Sequence, residues 1–378
     1  MTDLALVAVP TRQPSRATRA GRTILASALV LLAGLAAKAA AADQFMIKAM
    51  VQGDFVEGQP LSWSKSIVRL LARDGQMVTF RPSQATEYRK TSTRFYSYPT
   101  GQIRSKLYAE FGNRFEVTGT GHYLVVHPRG QKDRWAERFE KLYRSFYHYF
   151  QVRGFKLSDP KFPLIAVVFP KQDDYRRYRD RTGLSLGPNI LGHYDPRTNR
   201  ISLFDLTVDN PSLDWSRNAE TIIHEATHQT AFNTGIHRRF ADAPRWVCEG
   251  LATMFEARGV WDSLSGRSAP DRVNRDRLAS FRRYADTRRK AESLSPFIAT
   301  DQIFSRDQEA AYAEAWALSF YLSETRPRRY SAYLARTAAR TPFSAYPAAE
   351  RLADFQEVFG DNLKMFEVQF LRYLKRVR

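Results

Sequence analysis

The spacing of apolar residues changes along the chain and divides it into a β-rich part and a largely helical part. From Phe45 to about Pro99, short apolar runs alternate with turn residues, as in Ser66–Leu71 and Met77–Phe80 on either side of an Asp-Gly turn. This pattern is typical of β-hairpins and predicts a small N-terminal β-domain over residues 43–102. Its role stays open between a binding module and a structural brace.

The remainder, residues 103–378, has mostly strand patterns over 103–215 and mostly helical patterns over 216–378. A hairpin, an amphipathic helix and two further strands are predicted at Phe115–Val117 with Tyr123–His127, Arg134–Phe150, Pro163–Phe169 and Arg200–Leu206. Later helices are predicted at Asp271–Glu292, Gln308–Ser323, Tyr330–Ala339 and from Ala348 onwards. The pattern predicts an α+β fold, with a mixed or antiparallel sheet before a central helix, a helical lobe after it, and a cleft between them.

The central helix carries His224, Glu225 and His228 in the pattern His-Glu-x-x-His. Apolar residues around this pattern recur at helical spacing, and Asn233–Gly235 is a typical helix stop. Positions i and i+4 lie on one face of a helix, so the two imidazoles can reach one metal ion. Glu225 points about 100° away from His224, where a carboxylate can accept a proton from water at that ion. The stretch therefore predicts a zinc site with Glu225 as general base.

A third ligand is needed, because catalytic zinc usually binds three protein side chains and keeps one position open. The next predicted helix, Asp242–Glu256, has Pro244 at its first position and is expected to stop at Gly259. Glu249 lies in an apolar run of this helix, where a carboxylate is costly to bury unless it is paired or bound to metal. The neighbouring Gly250 predicts close approach by another backbone. We expect Glu249 to be the third ligand, with a surface carboxylate as the alternative.

These segments resemble a known class of enzymes. His224–Gln229, Phe232–Gly235 and Pro244–Ala252 are similar to motifs of the gluzincin clan of zinc metallopeptidases. More narrowly, they resemble a family of exported bacterial proteins catalogued mainly as a domain of unknown function. The resemblance is strongest over about 194–255, and it implies a gluzincin-like catalytic domain that hydrolyses peptide bonds.

The same resemblance implies two further features around the site. Some gluzincins place an acidic residue four positions after the ligand Glu, where it orients a histidine; Thr253 occupies that position here, so Glu256 is the candidate substitute. Gluzincins also pair an extended substrate with an edge strand of the sheet. Arg200–Leu206 is the candidate edge, and the alternative is an ordinary strand paired on both sides.

The resemblance further implies a donor for the oxyanion that develops during hydrolysis, often a Tyr or His from the later helical lobe. Tyr312 is the best candidate in the predicted helix Gln308–Ser323, although its spacing also fits an ordinary core residue. Two histidines are weaker candidates for this donor. His237 lies in the loop between the two ligand helices, and His193 lies in the loop before the candidate edge strand.

The N-terminus predicts export. Arginines at Arg12–Arg22, an apolar run at Thr23–Ala37 and small residues at Ala40–Ala42 are typical of a cleaved signal peptide over residues 1–42. The apolar run is shorter than the roughly 20 residues of a membrane span, so a signal peptide is favoured over an anchor. We expect a periplasmic or extracellular protein with no transmembrane segment after cleavage.

The chain is strongly basic and has a single cysteine. The formal charge is +19, and removal of residues 1–42 leaves +15, which favours anionic surroundings. The densest basic stretch, residues 267–290, is interpreted as a solvated helical face, with contact to an anionic polymer as the alternative. No nucleic-acid-binding motif accompanies it, so a nucleic-acid partner is not expected.

The single cysteine, Cys248, excludes an internal disulfide and is predicted to be a small buried residue.

Two functional hypotheses follow from these patterns. The first is an exported zinc-dependent peptidase that acts on peptides or proteins, with His224, His228 and Glu249 holding Zn²⁺. The alternative is a non-catalytic, zinc-containing envelope-binding protein that recognises anionic polymers through its basic surface.

Overall fold

The structure is a computed structural model that describes residues 45–183, 187, 190–209, 212, 216–262, 268 and 270–378. The predicted signal peptide over 1–42 lies outside these residues and stays a prediction. The chain divides into two compact units, residues 45–70 with 79–95 and residues 71–78 with 96–378. Within the described residues, no helix is both long enough and apolar enough to cross a bilayer.

The first sheet has the strand order β4-β3-β2-β1-β5. Strand β1, next to the edge strand β5, pairs antiparallel with β2 and with β5, and buries Met46, Ile47 and Ala49. β3 and β4 coincide with the hairpin strands predicted from the sequence. The strands are β1 (Met46–Val51), β2 (Asp54–Trp63), β3 (Val68–Ala72), β4 (Met77–Phe80) and β5 (Ala85–Ser92), with a short 3₁₀ turn at Pro82–Gln84.

The second sheet is mixed, with the order β6-β7-β8-β10-β9. β8 pairs parallel with both β7 and β10, while β6 and β9 pair antiparallel with their neighbours. Every residue of β8 is buried, which explains its continuous apolar run. The strands are β6 (Phe115–Gly119), β7 (Tyr123–Pro128), β8 (Leu164–Phe169), β9 (Gly192–Asp195) and β10 (Arg200–Phe204).

The expectation that Arg200–Leu206 forms an edge strand is wrong. β10 is paired on both sides, with β8 and with β9, and all five of its residues are buried. The edge is the short, more polar β9, which was not recognised because it has only four residues and no apolar run. A strand with consecutive apolar residues belongs inside a sheet, whereas a short polar strand is suited to an edge.

The helices follow the predicted pattern with some differences. They are α1 (Thr100–Phe111), α2 (Lys132–Gln151), α3 (Gln172–Arg181), α4 (Leu206–Asp209), α5 (Ser216–Thr234), α6 (Arg245–Phe255), α7 (Arg258–Trp261), α8 (Arg275–Thr287), α9 (Leu294–Ala299), α10 (Ile303–Arg306), α11 (Gln308–Thr325), α12 (Pro327–Ala338), α13 (Ala348–Phe359) and α14 (Leu363–Arg376), with a 3₁₀ turn at Pro270–Arg272. The two sheets and these helices confirm the α+β prediction.

Three differences have local causes. α1 was not predicted, because it buries only Ile103 and Leu107 and so has little helical periodicity. The helix predicted from Ala348 onwards is two helices, broken at Gly360, where φ is 103°. Gly259 does not end α6 but lies in α7, where an added Cβ would be 2.5 Å from the carbonyl carbon of Asp271.

The second sheet separates two hydrophobic layers. Alternate residues of its strands face α1 and α3 on one side, where Leu107, Phe169 and Tyr175 are buried. The other side faces α2 and α5, and this core continues through α6 into the helical lobe around Trp246 and Trp316. α5 therefore lies between the sheet and the lobe, and both sides fix its position.

The basic stretch at 267–290 is more than a solvated face. Among its described residues, arginines form ion pairs with carboxylates from other segments. These pairs are Arg272 with Glu324, Arg277 with Glu256, Arg283 with Glu309, Arg288 with Asp307, and Arg289 with Glu314 and Glu367. Five of the arginines in this stretch are therefore paired within the fold, while the net charge of the chain stays the same.

Candidate metal centre

The helix α5 places its two histidines on the side turned away from the sheet. Ile222 and Ile223 are buried in the core, whereas His224 and His228 are partly exposed. The edge strand lies against the same helix because Gly192 has no side chain. An added Cβ there would lie 2.8 Å from Thr221 Cγ2, closer than ordinary packing allows.

The helix α6 brings Glu249 to the histidines of α5. Trp246, Val247 and Leu251 are fully buried and fix the orientation of this helix. Gly250 lets α11 approach, since an added Cβ would lie 2.4 Å from the Ala315 carbonyl oxygen. The close backbone contact predicted from this glycine is thus present.

The side chains of His224, His228 and Glu249 converge on one point. His224 Nε2 is 3.2 Å from His228 Nε2, and Glu249 Oε2 is 3.4 Å from each of these nitrogens. Among the described residues, these three form the group of ligand-type atoms that lie within 4.8 Å of one another and could hold a metal ion. Cys248, the neighbour of Glu249, is not in the group.

The three atoms fit a metal ion by distance and by chemistry. With bonds of about 2.0–2.1 Å, tetrahedral ligands lie about 3.3 Å apart, close to the observed separations. Glu249 Oε2 is buried and makes no hydrogen bond with the described residues. A buried carboxylate oxygen without a hydrogen-bond partner destabilises the folded protein. A cation bound between this oxygen and the two imidazoles would offset that destabilisation.

Glu256 orients the first histidine. Glu256 Oε1 lies 2.9 Å from His224 Nδ1, on the side of the ring opposite the proposed ligand atom. Glu256 is itself held by the side-chain amide of Asn274, at 2.9 Å. Thr253 instead donates its hydroxyl to the Glu249 carbonyl oxygen within α6, at 2.7 Å. The carboxylate expected four residues after Glu249 is therefore provided seven residues after it.

The charged groups of this cluster shift one another's pKa values. Burial opposes ionisation of His224, but Glu249 and Glu256 raise its pKa well above the ordinary value. Burial likewise opposes ionisation of Glu249, but His228 and His224 lower its pKa well below the ordinary value. The two carboxylates thus stabilise positive charge on the His224 imidazole.

Glu225 lies beside the three proposed ligands and outside their group. Its Oε2 accepts a hydrogen bond of 2.7 Å from the main-chain N–H of Tyr194 in β9. Its negative charge contributes to the raised pKa of His224. The carboxylate is therefore held between the edge strand and the ligand helix.

Tyr312 of α11 also faces this region. Its ring centre is 6.4 Å from that of His224, and the ring is only partly buried. Burial, followed by the charge of Glu249, raises the pKa of Tyr312 to about 12. The phenol therefore keeps its proton at neutral pH and can act as a hydrogen-bond donor.

The two other histidines considered as oxyanion donors have different surroundings. His237 is 2% exposed, and neither of its ring nitrogens has a hydrogen-bond partner among the described residues. Burial and the nearby His228 lower the pKa of His237 to about 3, so its imidazole is neutral. His193 in β9 lies with its Nδ1 2.9 Å from the hydroxyl oxygen of Tyr175.

Arg245 was missed by the sequence analysis. Its Nε is 3.6 Å from Glu249 Oε1, and its guanidinium lies beside the phenol of Tyr312. The signal was present in the sequence, because Arg245 precedes Glu249 by four residues and so shares its face of α6. It was overlooked because basic residues are frequent in this chain.

Comparisons with known proteins find a matching family model and similar solved structures. Residues 218–344 match a family model described as "Protein of unknown function (DUF1570)". A search of curated proteins finds no significant match. Among solved structures, the chain is similar to a mutant M1 zinc metallopeptidase from Deinococcus radiodurans, with 12% identity and a TM-score of 0.33. The similarity covers 70% of this chain, which spans about half (51%) of that protein.

Proposed function

We propose that the protein is a zinc-dependent peptidase of gluzincin type. The observation that carries this proposal is the triangle of His224 Nε2, His228 Nε2 and Glu249 Oε2, with sides of 3.2–3.4 Å. Two imidazoles and one carboxylate in tetrahedral geometry suit zinc, and three protein ligands are typical of catalytic rather than structural zinc. Residues 103–378 would form the catalytic domain.

Zn²⁺ at this site would lower the pKa of a coordinated water to about 7 and polarise the substrate carbonyl. Glu225 accepts the proton from the attacking water and delivers it to the leaving amine. The hydrogen bond from the Tyr194 N–H holds this carboxylate in place. Tyr312 donates its phenolic proton in a hydrogen bond to the developing oxyanion.

The edge strand β9 is the proposed binding surface for the peptide main chain. Alternate residues of an edge strand turn their N–H and C=O groups away from the sheet. The Tyr194 N–H points outward in this way, to Glu225, and the main chain of Gly192 has the same orientation. A peptide that adds to β9 would be held next to the general base.

The alternative, a non-catalytic zinc protein that binds anionic polymers, has less support. Structural zinc sites are usually closed by four protein ligands, whereas the group here has three among the described residues. Its supposed polymer-binding surface at 267–290 is largely paired with carboxylates. Export to the periplasm or the extracellular space, through a signal peptide at 1–42, remains part of the proposal.

The test of this function is Glu225→Gln. We expect this variant to bind one equivalent of zinc as the wild type does, and to lose hydrolysis of a quenched-fluorescence peptide library by about 10²- to 10⁴-fold. The matched control is Glu137→Gln, the same change at an exposed position of α2. Full activity in Glu225→Gln, or a zinc-loaded wild type that cleaves no peptide, would contradict the proposal.

A further inference from the structure

The metal centre has a cation at its rim that the proposed mechanism does not use. Arg245 is the first residue of α6, one turn before Glu249, and its Nε is 3.6 Å from Glu249 Oε1. Its guanidinium carbon is 4.6 Å from the ring centre of Phe304, and the phenol of Tyr312 lies beside it. Three neighbours thus hold the group in one orientation.

The carboxylates near Arg245 do not neutralise it fully. A separation of 3.6 Å from Glu249 Oε1 is longer than a hydrogen bond, and Glu249 shares its charge with two imidazoles. Asp301 Oδ1 accepts the main-chain N–H of Arg245, and its Oδ2 is 2.8 Å from Arg351 Nη1. The guanidinium has five N–H donors, so it keeps capacity to bind a further anion.

This group is also accessible. The side chain of Arg245 is 43% exposed, although it adjoins the proposed metal ligand and the proposed oxyanion donor. Arg277, whose guanidinium carbon is 5.5 Å from the Tyr312 ring centre, is less exposed, at 30%, and pairs with Glu256, which is not a proposed metal ligand. Of these two arginines, Arg245 is therefore the one positioned to contact a substrate.

We infer that Arg245 binds a carboxylate of the substrate close to the scissile bond, so that the enzyme prefers peptides with an acidic group there. This inference rests on the proposed function. A guanidinium matches a carboxylate with two parallel hydrogen bonds, which gives both affinity and orientation. The carboxylate can belong to an acidic side chain or to the free C-terminus of a short peptide.

The experiment uses thiol probes that bind zinc identically and differ in one carboxylate. They are N-mercaptoacetyl-Phe-Gln-amide, which has none, N-mercaptoacetyl-Phe-Glu-amide, which has a side-chain carboxylate, and N-mercaptoacetyl-Phe-Gln with a free C-terminus. Calorimetry gives the Kd of each probe for zinc-loaded wild type and variants. Ratios are taken within one protein, so a change in zinc affinity cancels.

We expect one carboxylate probe to bind wild type about 10- to 100-fold more tightly than the neutral probe. The identity of that probe distinguishes a side-chain from a terminal carboxylate. Arg245→Gln should abolish the preference, and Arg245→Lys should reduce it, because lysine keeps the charge but loses the paired donors. The control Arg328→Gln removes the same charge from an exposed position of α12 and should keep the full preference.

Two results would overturn the inference. If the three probes bind wild type equally, or if Arg245→Gln keeps the preference, Arg245 does not read a carboxylate. Either result would leave the peptidase proposal intact, provided that wild type hydrolyses peptides. A zinc-loaded wild type that binds no thiol probe and cleaves no peptide would instead remove the proposed function itself.

Discussion

Two carboxylates on neighbouring helices each have one buried oxygen and very different surroundings. Glu249 of α6 and Glu314 of α11 each have an Oε2 that is buried without a hydrogen-bond partner among the described residues. Glu249 Oε2 lies 3.4 Å from two imidazole nitrogens. Glu314 Oε1 lies 2.8 Å from Nη2 of Arg289, which also pairs with Glu367.

The difference lies in what the partners can offer to a metal ion. An imidazole nitrogen has a lone pair when it is neutral, so the cluster around Glu249 can hold a cation. A guanidinium has only donors, so the cluster around Glu314 offers a metal ion no nitrogen lone pair and is an ion-pair network instead. The pKa values move in opposite directions: the histidines lower that of Glu249, whereas burial raises that of Glu314 against the influence of Arg289. A buried carboxylate in an apolar helix is therefore not sufficient evidence for a metal site.

The largest effect on stability should come from breaking the ion network. Arg289→Met leaves Glu314 and Glu367 buried without their cation, and we expect a loss of about 3–5 kcal/mol in the free energy of unfolding. Urea denaturation measures it. The control Arg288→Met removes a 53% exposed partner of Asp307 and should cost at most about 1 kcal/mol. Equal losses in the two variants would show that burial does not distinguish these pairs.

Removal of the metal should have the next largest effect. A chelator should destabilise zinc-loaded wild type by about 2.7–4 kcal/mol when free zinc had been 100- to 1,000-fold above its Kd. Glu249→Ala should lose the zinc and its response to chelator together. Glu314→Ala should keep both, because Glu314 is not a ligand. Thermal unfolding with and without chelator gives these values, and a chelator response in Glu249→Ala would show that its carboxylate does not bind the metal.

A smaller effect is expected from the residue that orients His224. Glu256→Gln keeps a hydrogen-bond acceptor but removes the charge opposite His224 Nδ1, and we expect zinc affinity to fall about 10- to 100-fold. Competition with a chromophoric chelator measures the affinity. Glu324→Gln, which removes a carboxylate paired with Arg272 instead, is the control and should not change it. An unchanged affinity in Glu256→Gln would mean that the hydrogen bond does not support the ligand.

The sequence predicted those features whose cause is local. The i and i+4 spacing of His224 and His228, and the apolar run around Glu249, were sufficient to place the proposed ligands on two helices. Gly250 indicated the close approach of α11, which an added side chain would block. These predictions depended on helical periodicity and on residue size, both of which are visible in a short window.

Features that depend on distant partners were not predictable in this way. The edge position of β9 follows from the pairing of β10 with β8, which is separated from it by more than 30 residues. Arg289 pairs with Glu314 and Glu367, which lie far from it in the sequence. Because a short window does not show these partners, the stretch around Arg289 resembled a solvated basic face. Glu256 was recognised only as a substitute for Thr253, because the exact direction of a side chain at the end of a helix is set by packing. Arg245 was missed although its spacing to Glu249 is local.

The central claim is that α5 and α6 present two imidazoles and one carboxylate to a single metal ion. Anomalous diffraction at the zinc edge, from crystals of the zinc-loaded protein, tests it most directly. We predict one strong peak bonded to His224 Nε2, His228 Nε2 and Glu249 Oε2 at about 2.0–2.2 Å. A peak bonded to other residues, or a zinc-loaded crystal in which Glu249 lies away from the metal, would contradict the account.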